Sequence, residues 1–352
     1  MIRIAIIGTG GMAGAHARRF SELAGVRIVA CCDVRGERAR EFAGTWKIPG
    51  VYTDYRALLD AEGPDAVAVV ASDRAHAPIV LCALDHGCHV LCEKPLATTV
   101  AEARDMLAAA RRRRVTHMVN FSYRDCAGLS AMVKTIRAGR IGDIRHIDAS
   151  YLQSWLVSTA WGDWRSSPGW LWRLSTKHGS AGVLGDLGSH LFDMLLWVGG
   201  DIEAIACRLQ SFAKGVRGNR VGPYRLDAND SFAASVRFRS GALAAAQASR
   251  WAVGHDNSVY VSVYGTKGAV RFDLDRDGGS YEFLAGAGAI RRRAWRVVKA
   301  RPVPGAYARF VRAIRTGRPA AATFADGLRV QQCLAACVKS NATQRSAPVS
   351  RT

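Results

Sequence analysis

Ile2-Arg3-Ile4-Ala5-Ile6-Ile7-Gly8-Thr9-Gly10-Gly11-Met12-Ala13 decides the fold of this chain. The first six residues are apolar almost throughout, as expected of a strand covered on both faces. The Gly-x-Gly-x-x-Ala that follows is a turn where backbone can approach a pyrophosphate, and the helix after it aims its first N–H groups at that charge. Asp33 stands 20 residues beyond Ala13, at the end of a second apolar run. A carboxylate there can hold the hydroxyls of an adenosine ribose. Strand, glycine turn, helix, strand and acid in this order predict a dinucleotide-binding βαβ unit.

The same alternation continues outward. Residues 2–7, 26–32, 66–71, 88–92 and 115–121 read as strands, and 12–23, 35–43, 76–85 and 100–113 as helices, which predicts a parallel sheet with helices on both faces. A further helix is expected over 129–137. After it the texture changes to alternating runs at 144–152, 231–238, 242–249 and 259–264, the pattern of an antiparallel sheet with one covered face. Residues 214–222 and 278–288 read as surface loops, and 324–339 as a last helix that can pack on either half. The expected fold class is therefore α/β, with an N-terminal Rossmann domain at residues 1–123 and an α/β domain at 124–352.

Composition narrows the function. At 352 residues the chain has room for two cores, and 49% hydrophobic content with no apolar run of about 18 residues predicts no membrane partner. The chain enters its first strand directly from Met1, without a basic and apolar leader, so a cytoplasmic protein is expected. Nine cysteines lie mostly in apolar segments without a CxxC pair, which predicts buried reduced thiols and no metal. The net charge of +20 raises the question of nucleic acid. However, Arg111-Arg112-Arg113-Arg114 closes a helix, where cations suit the dipole, and Arg291-Arg292-Arg293 falls in a loop, so a solvated surface and no nucleic-acid partner are expected.

Three stretches carry chemistry. The run from Cys88 to Cys92 opens onto Glu93-Lys94-Pro95 at the nucleotide-binding edge, placing a lysine beside a cofactor. Oxidising an alcohol with a nicotinamide needs a group that takes the hydroxyl proton as hydride leaves carbon, and Lys94 and His190 are the candidates. Asp186 and His190, four apart, would share a helix face that Asp193 continues, with Gly182, Gly185 and Gly188 allowing close backbone approach. Spacing alone leaves a packed His–Asp pair or two metal ligands open, although no third ligand is evident. The expected cofactor residues are Gly8, Thr9, Gly10, Gly11, Met12, Ala13, Asp33, Val34, Arg35, Ser72, Asp73, His76, Glu93 and Lys94. Asp33 would repel a ribose 2'-phosphate and so favours NAD, while Arg35 and Arg38 leave NADP open. His76 serves equally well as a packing residue. Trp155, Trp161, Trp164, Trp170 and Trp172 crowd into 18 residues. Such rings pack either on the C–H face of a sugar or in a core. Trp172, Arg173 and Arg124 are preferred as substrate contacts over Lys177 and His178.

These segments together resemble the Gfo/Idh/MocA family, the glucose-fructose oxidoreductase and inositol dehydrogenase group. The resemblance spans nearly the whole chain through Gly8 to Ala13, His76, Gly87 to Ala97, Asn120 to Arg124, Gly185 to Asp193 and Tyr264 to Gly268. It implies a large open, mainly antiparallel sheet in the second domain, and homodimers or homotetramers formed through sheet faces. It also implies a catalytic set of Lys94, Asp186 and His190 acting on sugars, cyclitols or related polyols, with Asn120 and Tyr123 joining the substrate contacts. Ser72-Asp73 departs from the family's usual Thr-Pro, which bears on the loop near the adenosine and pyrophosphate. The expected activity is hydride transfer between a ring carbinol and NAD. The alternatives are an NAD-dependent glycosidase using transient oxidation and a non-catalytic NAD-sensing regulator, against which the intact Lys94, Asp186 and His190 argue.

Overall fold

The computed structural model describes residues 1–350. It begins with β1 (Ile2–Ile7), α1 (Ala13–Ser21), β2 (Val26–Cys32), α2 (Gly36–Trp46), β3 (Gly50–Tyr52), α3 (Tyr55–Glu62), β4 (Ala66–Val69), α4 (Asp73–Asp85), β5 (His89–Cys92), α5 (Val100–Arg113) and β6 (His117–Val119). The six strands form one parallel sheet in the order β3-β2-β1-β4-β5-β6. Strand order reverses between β1 and β4, and in such sheets ligands bind beyond the carboxyl ends at that point. Ile4, Ile6, Val67, Val90 and Leu91 have no exposure, so the apolar runs are covered on both faces. The sequence pattern did not show β3 and α3, because Gly50-Val51-Tyr52 is too short to display a period.

Past β6 a short helical turn, Ser122–Asp125, leads to α6 (Ala127–Arg137), β7 (Ile144–Gln153), α7 (Pro168–Leu171), α8 (Ser189–Gly199) and β8 (Ile202–Gln210). There follow a two-strand hairpin of β9 (Arg220–Val221) and β10 (Tyr224–Arg225), then β11 (Ser231–Phe238), β12 (Leu243–Ser249), β13 (Asn257–Gly265), β14 (Gly268–Asp273), β15 (Ser280–Ala285), α9 (Ala287–Arg292) and β16 (Arg296–Lys299). The chain ends with α10 (Ala306–Thr316), α11 (Phe324–Thr343) and β17 (Ala347–Pro348). Nine strands make the large sheet, in the order β16-β15-β14-β13-β7-β12-β11-β8-β17, antiparallel except where β12 runs parallel to β7. The period-2 pattern is realised in β11, where Phe232, Ala234, Val236 and Phe238 are buried and Ala233, Ser235 and Arg237 are exposed. Phe192 of α8 stacks on Phe232 at 6.2 Å, so α8 covers the buried face.

These elements form two compact units, each made from two segments: Met1–Phe121 with Pro304–Gln331, and Ser122–Val303 with the chain from Gln332 onward. The sequence pattern alone predicts a single boundary after residue 123. In the first unit Tyr307 of α10 packs edge-on against His16 and Phe20 of α1, at 5.0 and 5.1 Å. In the second, Ser340 and Asn341 of α11 accept the backbone N–H groups of Cys207 and Leu209 in β8, both at 2.9 Å.

Gly128 in α6 lies so near β15 that a Cβ there would overlap the Ser280 carbonyl, and both atoms belong to rigid elements. Gly128→Ala should therefore cost roughly 1–3 kcal/mol by overpacking, whereas Gly44→Ala, in α2 with open space around its Cβ, should gain a few tenths to about 1 kcal/mol. Urea unfolding of both variants checks this, and equal stabilities would contradict the packing described.

Candidate active site

The glycine turn between β1 and α1 is built for close approach. Gly8 has φ +96° and its N–H donates to Cys32 O at 2.8 Å. A Cβ at Gly8 would lie 2.5 Å from Ala71 N, so the turn is pressed against the end of β4. At Gly10 and Gly11 a Cβ would meet nothing within 4 Å, which leaves an open cradle in front of α1. Thr9 donates from both its N–H and its hydroxyl to Asp33 Oδ2 at 3.0 Å, and Arg35 N–H donates to Asp33 Oδ1 at 2.9 Å. The carboxylate thus locks the end of β2 to the turn. Arg38 stands 3.8 Å away, and Val34 and Met12 are exposed beside it. Open space at the turn and a fixed acid beyond β2 fit a dinucleotide.

Beyond β4, Ser72 caps α4 through its backbone and Asp73 occupies the first helical turn. His76 faces two backbone carbonyls, Pro95 O at 2.8 Å and Ala71 O at 3.1 Å, and has no exposure. It ties the end of β4 to the turn carrying Lys94, whose peptide bond to Pro95 is cis. Glu93, at the end of β5, is 8% exposed. Its Oε1 meets His16 Nε2 at 2.8 Å and accepts from Asn120 Nδ2 at 2.7 Å, while Oε2 accepts from Lys94 N–H at 3.2 Å. Burial pushes this carboxyl up, but the His16 hydrogen bond and charge, the Asn120 amide and the Lys94 charge outweigh it and hold it down at about 2. Asn120, expected at the substrate, spends its amide nitrogen on Glu93.

In the second unit Asp186 lies in a π-helical turn, Leu184–Gly188, that runs directly into α8. The expected regular i, i+4 helix face is therefore replaced by a widened turn, a feature frequent at functional sites. Asp186 Oδ2 accepts from Arg173 Nη1 at 3.1 Å and from Arg250 Nη2 at 2.9 Å. His190 is buried, edge-on to Tyr123 at 5.0 Å and to Tyr151 at 6.2 Å. The two phenols and Asn257 close a ring: Tyr123 donates to Tyr151 at 2.7 Å, Tyr151 donates to Asn257 Oδ1 at 2.8 Å, and Asn257 Nδ2 donates to Tyr123 at 3.0 Å. Gln153 Nε2 also donates to Asn257 Oδ1, at 2.8 Å. Burial pushes the pKa of both tyrosines up and so disfavours their ionisation.

Other expected contacts are placed differently. Arg124 is buried and forks onto Asp193 of α8 with bonds of 2.9 and 2.6 Å, so its Nε and Nη2 hold that helix. Trp155 and Trp164 are core, packed with Leu156, Leu171, Leu174 and Leu226, because an indole that finds an acceptor inside is cheaper to bury than to expose. Trp172 remains half-buried with the Arg173 guanidinium 4.9 Å above its ring. The sequence reading missed His16, Arg250, Tyr151, Gln153 and Asn257. Arg250 did carry a signal, for it takes the inward phase that Ala242, Ala244, Ala246 and Ala248 set up along β12. His16 carried none, since nothing in α1 announces a carboxylate 77 positions away.

The parallel sheet, the open glycine turn and Asp33 define a dinucleotide-binding domain, and residues 2–121 match the model of the oxidoreductase family with NAD-binding Rossmann fold. Residues 129–271 match the Gfo/Idh/MocA C-terminal domain, and the chain belongs to the Gfo/Idh/MocA family. Levoglucosan dehydrogenase of Pseudarthrobacter phenanthrenivorans is 28% identical over 78% of this chain and 74% of its own. D-glucoside 3-dehydrogenase of Escherichia coli is 29% identical over 69% of this chain and 68% of its own. Levoglucosan dehydrogenase in complex with NADH superposes over the full length of both chains with a TM-score of 0.88 at 26% identity, and an oxidoreductase domain protein from Kribbella flavida does so with 0.88 at 30%.

Because Glu93 sits at about 2 in the folded state, below its ordinary value of 4.5, it contributes stability above the ordinary value that is lost as pH falls toward the folded one. Glu93→Gln should be less stable than wild type near neutral pH, with the gap closing between about pH 5 and about pH 2. Urea unfolding at stepped pH checks this, and a gap independent of pH would contradict it.

Proposed function

We propose that this protein transfers hydride between a ring carbinol of a sugar, sugar derivative or cyclitol and NAD, with Lys94, Asp186 and His190 as the catalytic set. The observation that carries the reading is the way the second unit presents its acid and base. Asp186 is fixed by two guanidiniums on one oxygen, and His190, four residues on, packs edge-on against a touching pair of tyrosine rings. The relatives that act on levoglucosan and D-glucosides support the substrate class.

Each residue has a task that its surroundings suit. Bound NAD supplies the hydride acceptor. His190, held by ring packing in one orientation, takes the hydroxyl proton as the C–H bond breaks. Lys94, half-buried and with its backbone N–H on the Glu93 carboxylate, offers its side-chain nitrogen to the oxygen that gains negative charge. Asp186 accepts a hydrogen bond from a neighbouring hydroxyl and so fixes which ring carbon is presented. Trp172, with Arg173 stacked on it, offers an aromatic face to the apolar side of the ring.

Absorbance at 340 nm with NAD, then NADP, across free sugars, glycosides and inositols tests the reading. One class should give NADH, with NAD preferred, and Lys94→Ala and His190→Ala should each lower kcat/KM by roughly 10²- to 10⁴-fold. Wild-type turnover in both variants would sink the mechanism. Cleavage of a glycoside with no accumulated NADH would replace it with transient oxidation and elimination.

A further inference from the structure

We propose that Arg250 is a positioning residue for the reaction, acting through Asp186, whose carboxylate it locks in one rotational state. The proposal rests on Asp186 being catalytic. Arg250 directly follows β12 and has no exposure. Its Nη2 donates to Asp186 Oδ2 at 2.9 Å and its Nη1 to the Arg173 carbonyl at 3.1 Å, while the guanidinium lies 5.1 Å from the Trp155 ring centre. Its backbone is fixed too, the N–H donating to Asp230 O at 2.9 Å. One planar group therefore sets two things together: the carboxylate of Asp186 and the main chain of the residue that supplies the second cation.

Arg173 Nη1 reaches the same Oδ2 at 3.1 Å. Two donors converging on one oxygen from different elements stop rotation about the Cβ–Cγ bond and fix the direction in which the carboxylate meets a substrate hydroxyl. Neutralising Asp186 needs only one arginine. Arg173 is 28% exposed and Asp186 21%, whereas Arg250 is sealed, so Arg250 does not itself touch a substrate. A guanidinium removed from water is costly unless paired, and a well-packed apolar residue would stabilise a strand end as well or better. Burial and the nearby Arg173 charge both weaken the hold of Arg250 on its proton, with Asp186 opposing them, as expected of a cation kept inside for its carboxylate. Holding a reacting group within a narrow angular range is where such a cost returns as rate.

A double-mutant cycle tests this, with kcat and KM measured for wild type, Arg250→Gln, Asp186→Asn and the pair, on whichever sugar or cyclitol the protein oxidises. NADH binding and cooperative unfolding report that each variant is folded. Arg250→Gln should lower kcat/KM by about 30-fold or more in wild type but by no more than about 3-fold beside Asp186→Asn, because the two losses share one cause. Arg250→Lys, which keeps the charge and one donor, should recover about tenfold over the glutamine variant. If Arg250→Gln does not fold, the cycle is run with Arg250→Lys, whose loss must likewise vanish beside Asp186→Asn. Additive losses would overturn the inference and leave the proposed function standing, since a strand-end support acts independently of Asp186. Wild-type turnover in Asp186→Asn would instead sink the role of Asp186, and this inference with it.

Discussion

A carboxylate taken out of water is tolerated only where donors and cations meet it, as the buried Glu93, Asp193 and Asp230 and the partly exposed Asp186 are met here. Glu93 is met by His16, Asn120 and the Lys94 backbone, and Asp193 by the Arg124 fork. Asp230 is met by Lys214 at 2.7 Å with neither side chain exposed, and Asp186 by Arg173 and Arg250. Such pairs are poor sources of net stability, since desolvation consumes most of their attraction, but breaking one by removing a partner costs about 3–5 kcal/mol. Their contribution is geometric. Glu93 fixes the strand end that bears Lys94, Asp193 ties the turn after β6 to α8, and Asp230 anchors the loop at Phe212 while its carbonyl receives the Arg250 N–H.

The two units divide the work along the same lines. In the first, strands covered on both faces end at a turn too tight for any side chain at Gly8, and the open space at Gly10 and Gly11 admits a phosphate. In the second, one face of a nine-stranded sheet carries α8, and the π-helical turn ahead of that helix changes the angular relation of Asp186 to His190. The tyrosine and asparagine ring beside His190 is satisfied within itself, so the imidazole is packed against groups with little reason to move.

Much of this was legible in the residues. The order of β1, glycine turn, α1 and Asp33 carries its own physical logic, and the alternation in β11 and β12 told the covered face from the open one. The missed or displaced features share a cause, which is dependence on partners distant in sequence. Arg124 looked like a hydroxyl-binding arginine until Asp193 was found in front of it. Trp155 and Trp164 read equally as a sugar platform or as core, and only Leu226 and its neighbours, which enclose them, decide for the core. The short β3 had no length in which to show a period, and the widening of the turn at Asp186 has no signature in hydropathy. Arg250 was the exception, a charge at the inward phase of an apolar strand, readable as a buried ion pair before its partner was known.

In the proposed reaction hydride passes directly from a ring carbon to NAD. The most direct measurement of this transfer is a reaction with ring-deuterated inositol or glucose, or the polyol that reduces NAD best, followed by ¹H NMR of the nicotinamide C4 position. One deuterium at C4 of the reduced cofactor, delivered to a single face, is the expected result. Reduced cofactor carrying only protium, or no reduction with any sugar or cyclitol offered, would contradict it.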